Sequence, residues 1–333
     1  MDPPGRERRL LMLESRWLDC KNPAPMLRYL ADRASPRKLR LFLCACCRRI
    51  GPWLRGQATR QALEELERQA DARRPRVPTR AVRDLARQGA DAAREREQAA
   101  ALARQAAEQR RAAVWGSVWV GDPPPPSVLI RSAADALAAR AEEQDERIVR
   151  TAAELVVALA EEEADGARVS ETAASLVGQG RLAAILRARS VRWMHRADEE
   201  AERPVSRGKA SLRAAQAADW IEMQEDNLPE GDEEPQTRTE RRELRAHCHL
   251  LRELFGNPFR PVAVEQTWLE WNDGCVAKLA RAIYEDRKYQ DMKILADALE
   301  EAGCTSPDLL MHCRQPGEHV LGCWVVDRLL GLT

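Results

Sequence analysis

The chain is short of aromatic residues, which make up 5% of its 333 positions, while alanine, leucine, arginine and glutamate dominate. Few residues therefore suit a pleated surface, which argues against an extensive sheet. The abundant residues are strong helix formers and predict an all-α fold. Long apolar runs are also missing. Nothing approaches the roughly 18 residues of a membrane helix, so no membrane partner is expected. Near the start, Leu10 to Leu13 is the only apolar run; Glu14 and Arg16 close it too early for a signal-peptide core. The nine cysteines are odd in number and lack small-domain spacing. That pattern fits reduced thiols and a cytoplasmic location. A phosphate loop is absent, because Gly208-Lys209 lacks the preceding glycine and strand.

Net charge is zero, with 53 basic and 53 acidic residues. It is unevenly spread: residues 1–115 hold 26 Lys and Arg against 14 Asp and Glu, and the remainder is correspondingly acidic. The basic third either offers a nucleic-acid surface or folds against the acidic remainder, and neutrality overall favours the second.

Four regions are expected: an N-terminal helical module at 1–56, a long-helix alanine-rich region at 57–225, an acidic mobile loop at 226–237, and a C-terminal helical module at 238–333 that packs with the N-terminal segment. Ser35-Pro36 has the form of an N-cap followed by a first-turn proline. The helix it opens carries Leu39, Phe42, Leu43, Cys46, Cys47 and Ile50 on one stripe. Asn22-Pro23-Ala24-Pro25 reads as a turn before Met26–Leu30. Residues 79–114 contain no proline and predict one helix of about 54 Å. Further long helices are expected from Ser127 to about Asp165 and from Val169 to about Glu202. Beyond the acidic loop, Asn272-Asp273-Gly274 reads as a helix stop, Ser306-Pro307 as a second N-cap pair, and Glu318–Leu330 as the last helix.

The segments WLDCKNPAPMLRYLADRASPRKLRLFLCACCRRI, FGNPFRP, WNDG, LADALEEAGC and HCRQPGEHVLGCWVVDRLLG resemble a large paralogous bacterial family with no assigned activity. The resemblance covers residues 17–50 and about 251–331. It implies an α-helical protein whose two ends pack together around a variable insert, and it implies no chemistry.

Candidate chemistry is sparse. Cys44, Cys46 and Cys47 lie more than two turns into a helix, where no dipole lowers their pKa. Successive side chains differ by about 100°, so the three cannot share a metal. They read as small buried hydrophobes. The sharpest metal candidates are Cys304, His312, Cys313, His319 and Cys323. On a regular helix His319 and Cys323 share a face, and Cys304 and Cys313 flank the preceding helix, so four ligands could gather in zinc's tetrahedral arrangement. Against this, Cys304 and Cys313 would stand about 13 Å apart along a helix axis, and a satisfied histidine with core cysteines is the competing reading. His247 and His249 should point to opposite sides of a helix. Asp297 and Asp327 lie in apolar context and read as ion-pair partners, with Arg260 and Arg328 available to them. The arginines from Arg73 to Arg111 alternate with acids and lack stacking rings before Trp115, unlike a single-strand binding surface.

Together these features predict a non-enzymatic helical scaffold or adaptor for a protein partner, with no catalytic residues and no cofactor. Nucleic-acid association through the basic third and a zinc-stabilised helical domain are the alternatives.

Overall fold

The computed structural model describes residues 12–71, 78–117, 124–161, 165–202, 216–217, 220–221 and 233–332. Among them are twelve α-helices and no strand. The N-terminal third holds α1 (Glu14–Asp19), α2 (Pro23–Leu30), α3 (Pro36–Arg49) and α4 (Gln57–Ala70). Three long helices follow: α5 (Arg80–Gly116), α6 (Pro126–Ala160) and α7 (Gly166–Ala201). The last five are α8 (Glu233–Phe255), α9 (Gln266–Asp286), α10 (Met292–Glu301), α11 (Pro307–Arg314) and α12 (Trp324–Leu330).

Local sequence accounts for several of these boundaries. The Ser35 side chain accepts from the Lys38 N–H, with Pro36 at the first helical position. Asn22 does the same for Ala24, so α2 starts at Pro23 and the expected turn is its first turn. Prolines fit there because first-turn N–H groups have no helical acceptor. Trp271 to Gly274 leave helical geometry and break α9 where Asn272-Asp273-Gly274 predicts a stop. Ser306 precedes α11, although its side chain makes no capping bond. Residues 233–237, expected in the acidic loop, are helical instead. Acids at a helix N-terminus are favoured by the dipole, and Pro235 falls in the first turn. Residues 226–232 lie outside the described residues.

The long helices pack through alanine. Ala86, Ala90, Ala93, Ala100 and Ala107 of α5 are buried, as are Ala133, Ala134, Ala141, Ala152 and Ala153 of α6. Small side chains bring axes close but bury little area each, and ion pairs flank the seams. Arg96 of α5 meets Glu146 at 3.1 Å and Arg104 meets Glu143 at 2.8 Å, while Arg150 of α6 reaches back to Glu97 at 2.5 Å. Arg87 pairs with Glu161, and Arg94 with both Asp91 and Glu154. Much of the arginine run is therefore matched by acids of the neighbouring helix; Arg73, Arg74 and Arg76 lie outside the described residues.

The largest core joins Trp17, Phe42, Ile50, Leu63, Ile148, Leu176, Leu251 and Leu254. Helix α8, most of it within the segment 238–333 expected to pack with the N-terminal segment, thus lies in the core of the N-terminal helices. A second core, including Trp268, Val276, Ile283, Leu295, Leu299 and Val325, holds α9 to α12 together. The two ends meet at a polar seam. Trp17 Nε1 donates to the Gly256 carbonyl at 3.1 Å, and Arg252 donates to the carbonyls of Trp17 and Cys20. Asp327, fully buried, pairs with Arg37 at 2.6 Å and Lys38 at 2.7 Å.

One ion pair on this frame yields a pH prediction. Burial alone would raise the Glu243 carboxyl, but the His247 imidazole 3.5 Å away and the hydrogen-bonded Arg49 guanidinium outweigh it and hold the pKa at about 2. The folded value lies below the unfolded one, so the stabilisation is complete above roughly pH 4.5 and is lost as pH falls toward 2. With allowance for solvent screening, Glu243→Gln is expected to cost about 1–2 kcal/mol near neutrality. In urea titrations the gap from wild type should close on acidification to about pH 2. A gap that stays constant with pH would contradict this assignment.

Candidate metal centre

Where α8 meets the segment between α11 and α12, four metal-ligating side chains converge. Glu253, His312, His319 and Cys323 each offer one donor atom, and these atoms lie within 4.8 Å of one another. Their placement follows from local structure. Glu253 lies near the end of α8, on the face that carries Ala246, His249 and Leu250 toward the same cleft. His312 lies in the last turn of α11. His319 follows Pro316 and Gly317 in a segment without helix. Cys323 is the residue immediately before α12.

This differs from the expected Glu318–Leu330 helix, and the reason is Gly322. Its φ of +89° is left-handed, and a Cβ there would stand 2.7 Å from Leu41 Cδ1 and 2.9 Å from Leu254 Cδ2. The chain turns tightly against the larger core at this point, and α12 begins only at Trp324. His319 and Cys323 meet through the turn rather than along a helix face. Gly256, just past α8, has φ +65°, and a Cβ on it would press on the Trp324 ring at 2.9 Å. A side chain at either glycine would press on these core side chains, so both turns sit tightly against the packing around the cluster.

His312 Nε2 is 3.2 Å from Cys323 Sγ and 3.2 Å from Glu253 Oε2. His319 Nδ1 is 2.9 Å from Glu253 Oε1. Donors on a tetrahedral zinc ion, with bonds of roughly 2.0–2.3 Å, lie about 3.3–3.7 Å apart, so small adjustments would fit the set to one ion. The Gln315 amide lies 3.2 Å from His312 Nδ1. The amide atom facing the ring is Gln315 Nε2; an amide flip would let the oxygen accept the Nδ1 proton and free the His312 Nε2 lone pair for an ion.

Electrostatics support the same point. Burial would raise the Glu253 carboxyl, but the two imidazoles outweigh it and hold the pKa at about 2, so the group is an anion. The Cys323 thiol is pushed up by burial first and by the Glu253 charge next. A cation among them would favour the thiolate, as metal ligation requires. The Tyr289 hydroxyl is buried and has no hydrogen-bond partner among the described residues. Burial, then the nearby Cys323, raises its pKa.

Three of the five sequence candidates, His312, His319 and Cys323, thus come together. Cys304 and Cys313 do not join them; both are buried in the second core. Glu253, which completes the set, carries no signal in the sequence, because an acid beside leucine on an amphipathic helix has no distinguishing pattern. Only the fold brings it to residues some 60 positions later.

The other candidates are accounted for by packing or pairing. Cys44, Cys46 and Cys47 are buried, and burial raises each thiol, Cys47 to about 12. His247 is buried with its Nδ1 2.8 Å from the Ser170 hydroxyl, whereas His249 is exposed. Asp327 pairs with Arg37 and Lys38 rather than with Arg260 or Arg328. Asp297 meets Arg314 at the surface, and Arg260 meets Glu14.

No protein family, no curated protein and no solved structure matches this chain. Among the described residues, no helix is long and apolar enough to cross a membrane.

Proposed function

We propose that the protein is a zinc-binding helical scaffold. One zinc ion, held by Glu253, His312, His319 and Cys323, fastens the C-terminal helices to the core built by the N-terminal ones. The observation that carries this reading is the convergence of four donor atoms, three of them from histidine and cysteine, within 4.8 Å. Nitrogen and sulfur donors with one carboxylate suit zinc rather than magnesium or calcium. The three long helices provide the surface for a protein partner, with Leu102 and Val191 among their exposed apolar groups. Their internally paired arginines support this reading over phosphate tracking.

Elemental analysis of protein purified without chelator tests the proposal. About one equivalent of zinc is expected in wild type and under about 0.1 in the His312→Ala/His319→Ala double variant. Wild-type protein carrying far less than one equivalent, and taking up none when zinc is added, would refute it.

A further inference from the structure

The segment from Glu14 to Cys20 is tied to α8 at successive levels. Glu14 Oε1 accepts from the Asn257 amide at 2.7 Å, and Trp17 Nε1 donates to the Gly256 carbonyl at 3.1 Å. Arg252 donates to the carbonyls of Trp17 and Cys20, both at 2.9 Å. Moving forward from Glu14 therefore means moving backward along α8. One turn before Arg252 on that helix is Cys248, and the progression sets Cys20 beside it. The two thiols touch: the Cys248 S–H donates to the Cys20 sulfur. The Cys20 S–H donates in turn to the Asn22 carbonyl at 3.0 Å.

The two members differ in access. Cys20 is half-buried in the connection between α1 and α2, whereas Cys248 is fully buried in the larger core. Burial first, then Cys20, pushes the Cys248 thiol up to about 12, and Arg252 opposes this in part. An oxidant in solution can thus reach Cys20 but not Cys248. Oxidation of a thiol follows its exposure, and a partner thiol in reach resolves the product as a disulfide. Cys44, Cys46 and Cys47 also neighbour one another, but at 1% exposed or less they offer an oxidant no entry.

We propose that Cys20 and Cys248 form a reversible disulfide that staples the α1–α2 connection to α8, with a small-molecule disulfide such as glutathione disulfide as the oxidant. The Cys20 thiolate attacks one sulfur of the oxidant, forming a mixed disulfide and releasing one glutathione thiolate. Cys248 then gives up its proton and attacks Cys20 Sγ. The bond from Cys20 to glutathione breaks, and the second glutathione leaves. Two protein thiols lose two electrons and two protons, and one oxidant molecule becomes two thiols. This staple is independent of the zinc reading.

The test incubates the folded full chain with glutathione disulfide, alkylates the remaining thiols and maps the peptides by mass. A Cys20–Cys248 cross-link is expected, reversed by reduced glutathione. Because the bond restricts the unfolded chain, the cross-linked protein should melt on the order of 5 °C above the untreated protein. Cys248→Ala should instead retain one glutathione on Cys20, and Cys20→Ser, changed at a half-exposed position, should give neither product. The wild-type map decides the matter even where a variant does not fold. Cys20 left free for alkylation, found only as the glutathione adduct, or joined to another cysteine would overturn the proposal. A cross-link that leaves the midpoint unchanged would overturn the stapling of α8.

Discussion

Removing the ion with a chelator is expected to lower the thermal midpoint by on the order of 5–10 °C, and zinc should restore it. An ion that binds only the folded chain stabilises it by about 4 kcal/mol when its free concentration exceeds the dissociation constant a thousandfold. In a protein of a few hundred residues each kcal/mol moves the midpoint by a few degrees at most. The effect should be large here because the donors bridge two cores: Glu253 ends the helix that buries Leu251 and Leu254 in the larger one, and Cys323 packs in the smaller. Without the ion, Glu253 holds the two imidazoles by hydrogen bonds, so the apo protein should remain folded. The check is a calorimetric scan of the same sample before chelation, after it and after zinc is returned. A midpoint indifferent to chelator would show that no stabilising ion binds.

Asp327→Ala is expected to cost about 3–5 kcal/mol, as breaking a buried pair from one side does. The Asp327 carboxylate is fully buried between Arg37 and Lys38, whose side chains are 9% and 8% exposed. Without it two buried cations face each other. Arg37 keeps Asp71 as a partner at 2.6 Å. Among the described residues Lys38 keeps only the carbonyls of Leu254 and Gly322, at 2.8 and 2.6 Å. Burial already lowers the Lys38 pKa, so in the variant lysine should lose its proton more readily still. Adding Lys38→Met should restore part of the loss, because the orphaned charge rather than the missing contact carries most of it. Urea unfolding of the two single variants and the double variant measures the coupling. Additive losses would mean that Lys38 and Asp327 do not act as a pair.

The parts of this structure legible in the sequence are those set by neighbours along the chain. Ser35-Pro36, the proline-free run that forms α5, and the Asn272–Gly274 break each carry their own conformational instruction. Features that depend on distant partners were not legible. Asp327 and Arg37 are 290 residues apart, and no local pattern favours that pairing over the nearer Arg328. Helical periodicity aligned His319 with Cys323, yet the turn at Gly322 brings them together in another way. Cys304 and Cys313 stand out in the sequence because cysteine is scarce there, whereas Glu253 does not in a chain so rich in glutamate.

X-ray absorption at the zinc edge tests the metal centre most directly. The expected first shell has one sulfur at about 2.3 Å and two imidazole nitrogens with one or two oxygens at about 2.0–2.2 Å, and the sulfur should vanish in Cys323→Ser. A shell of light atoms alone in the wild-type protein, or a sulfur that persists in that variant, would contradict the site.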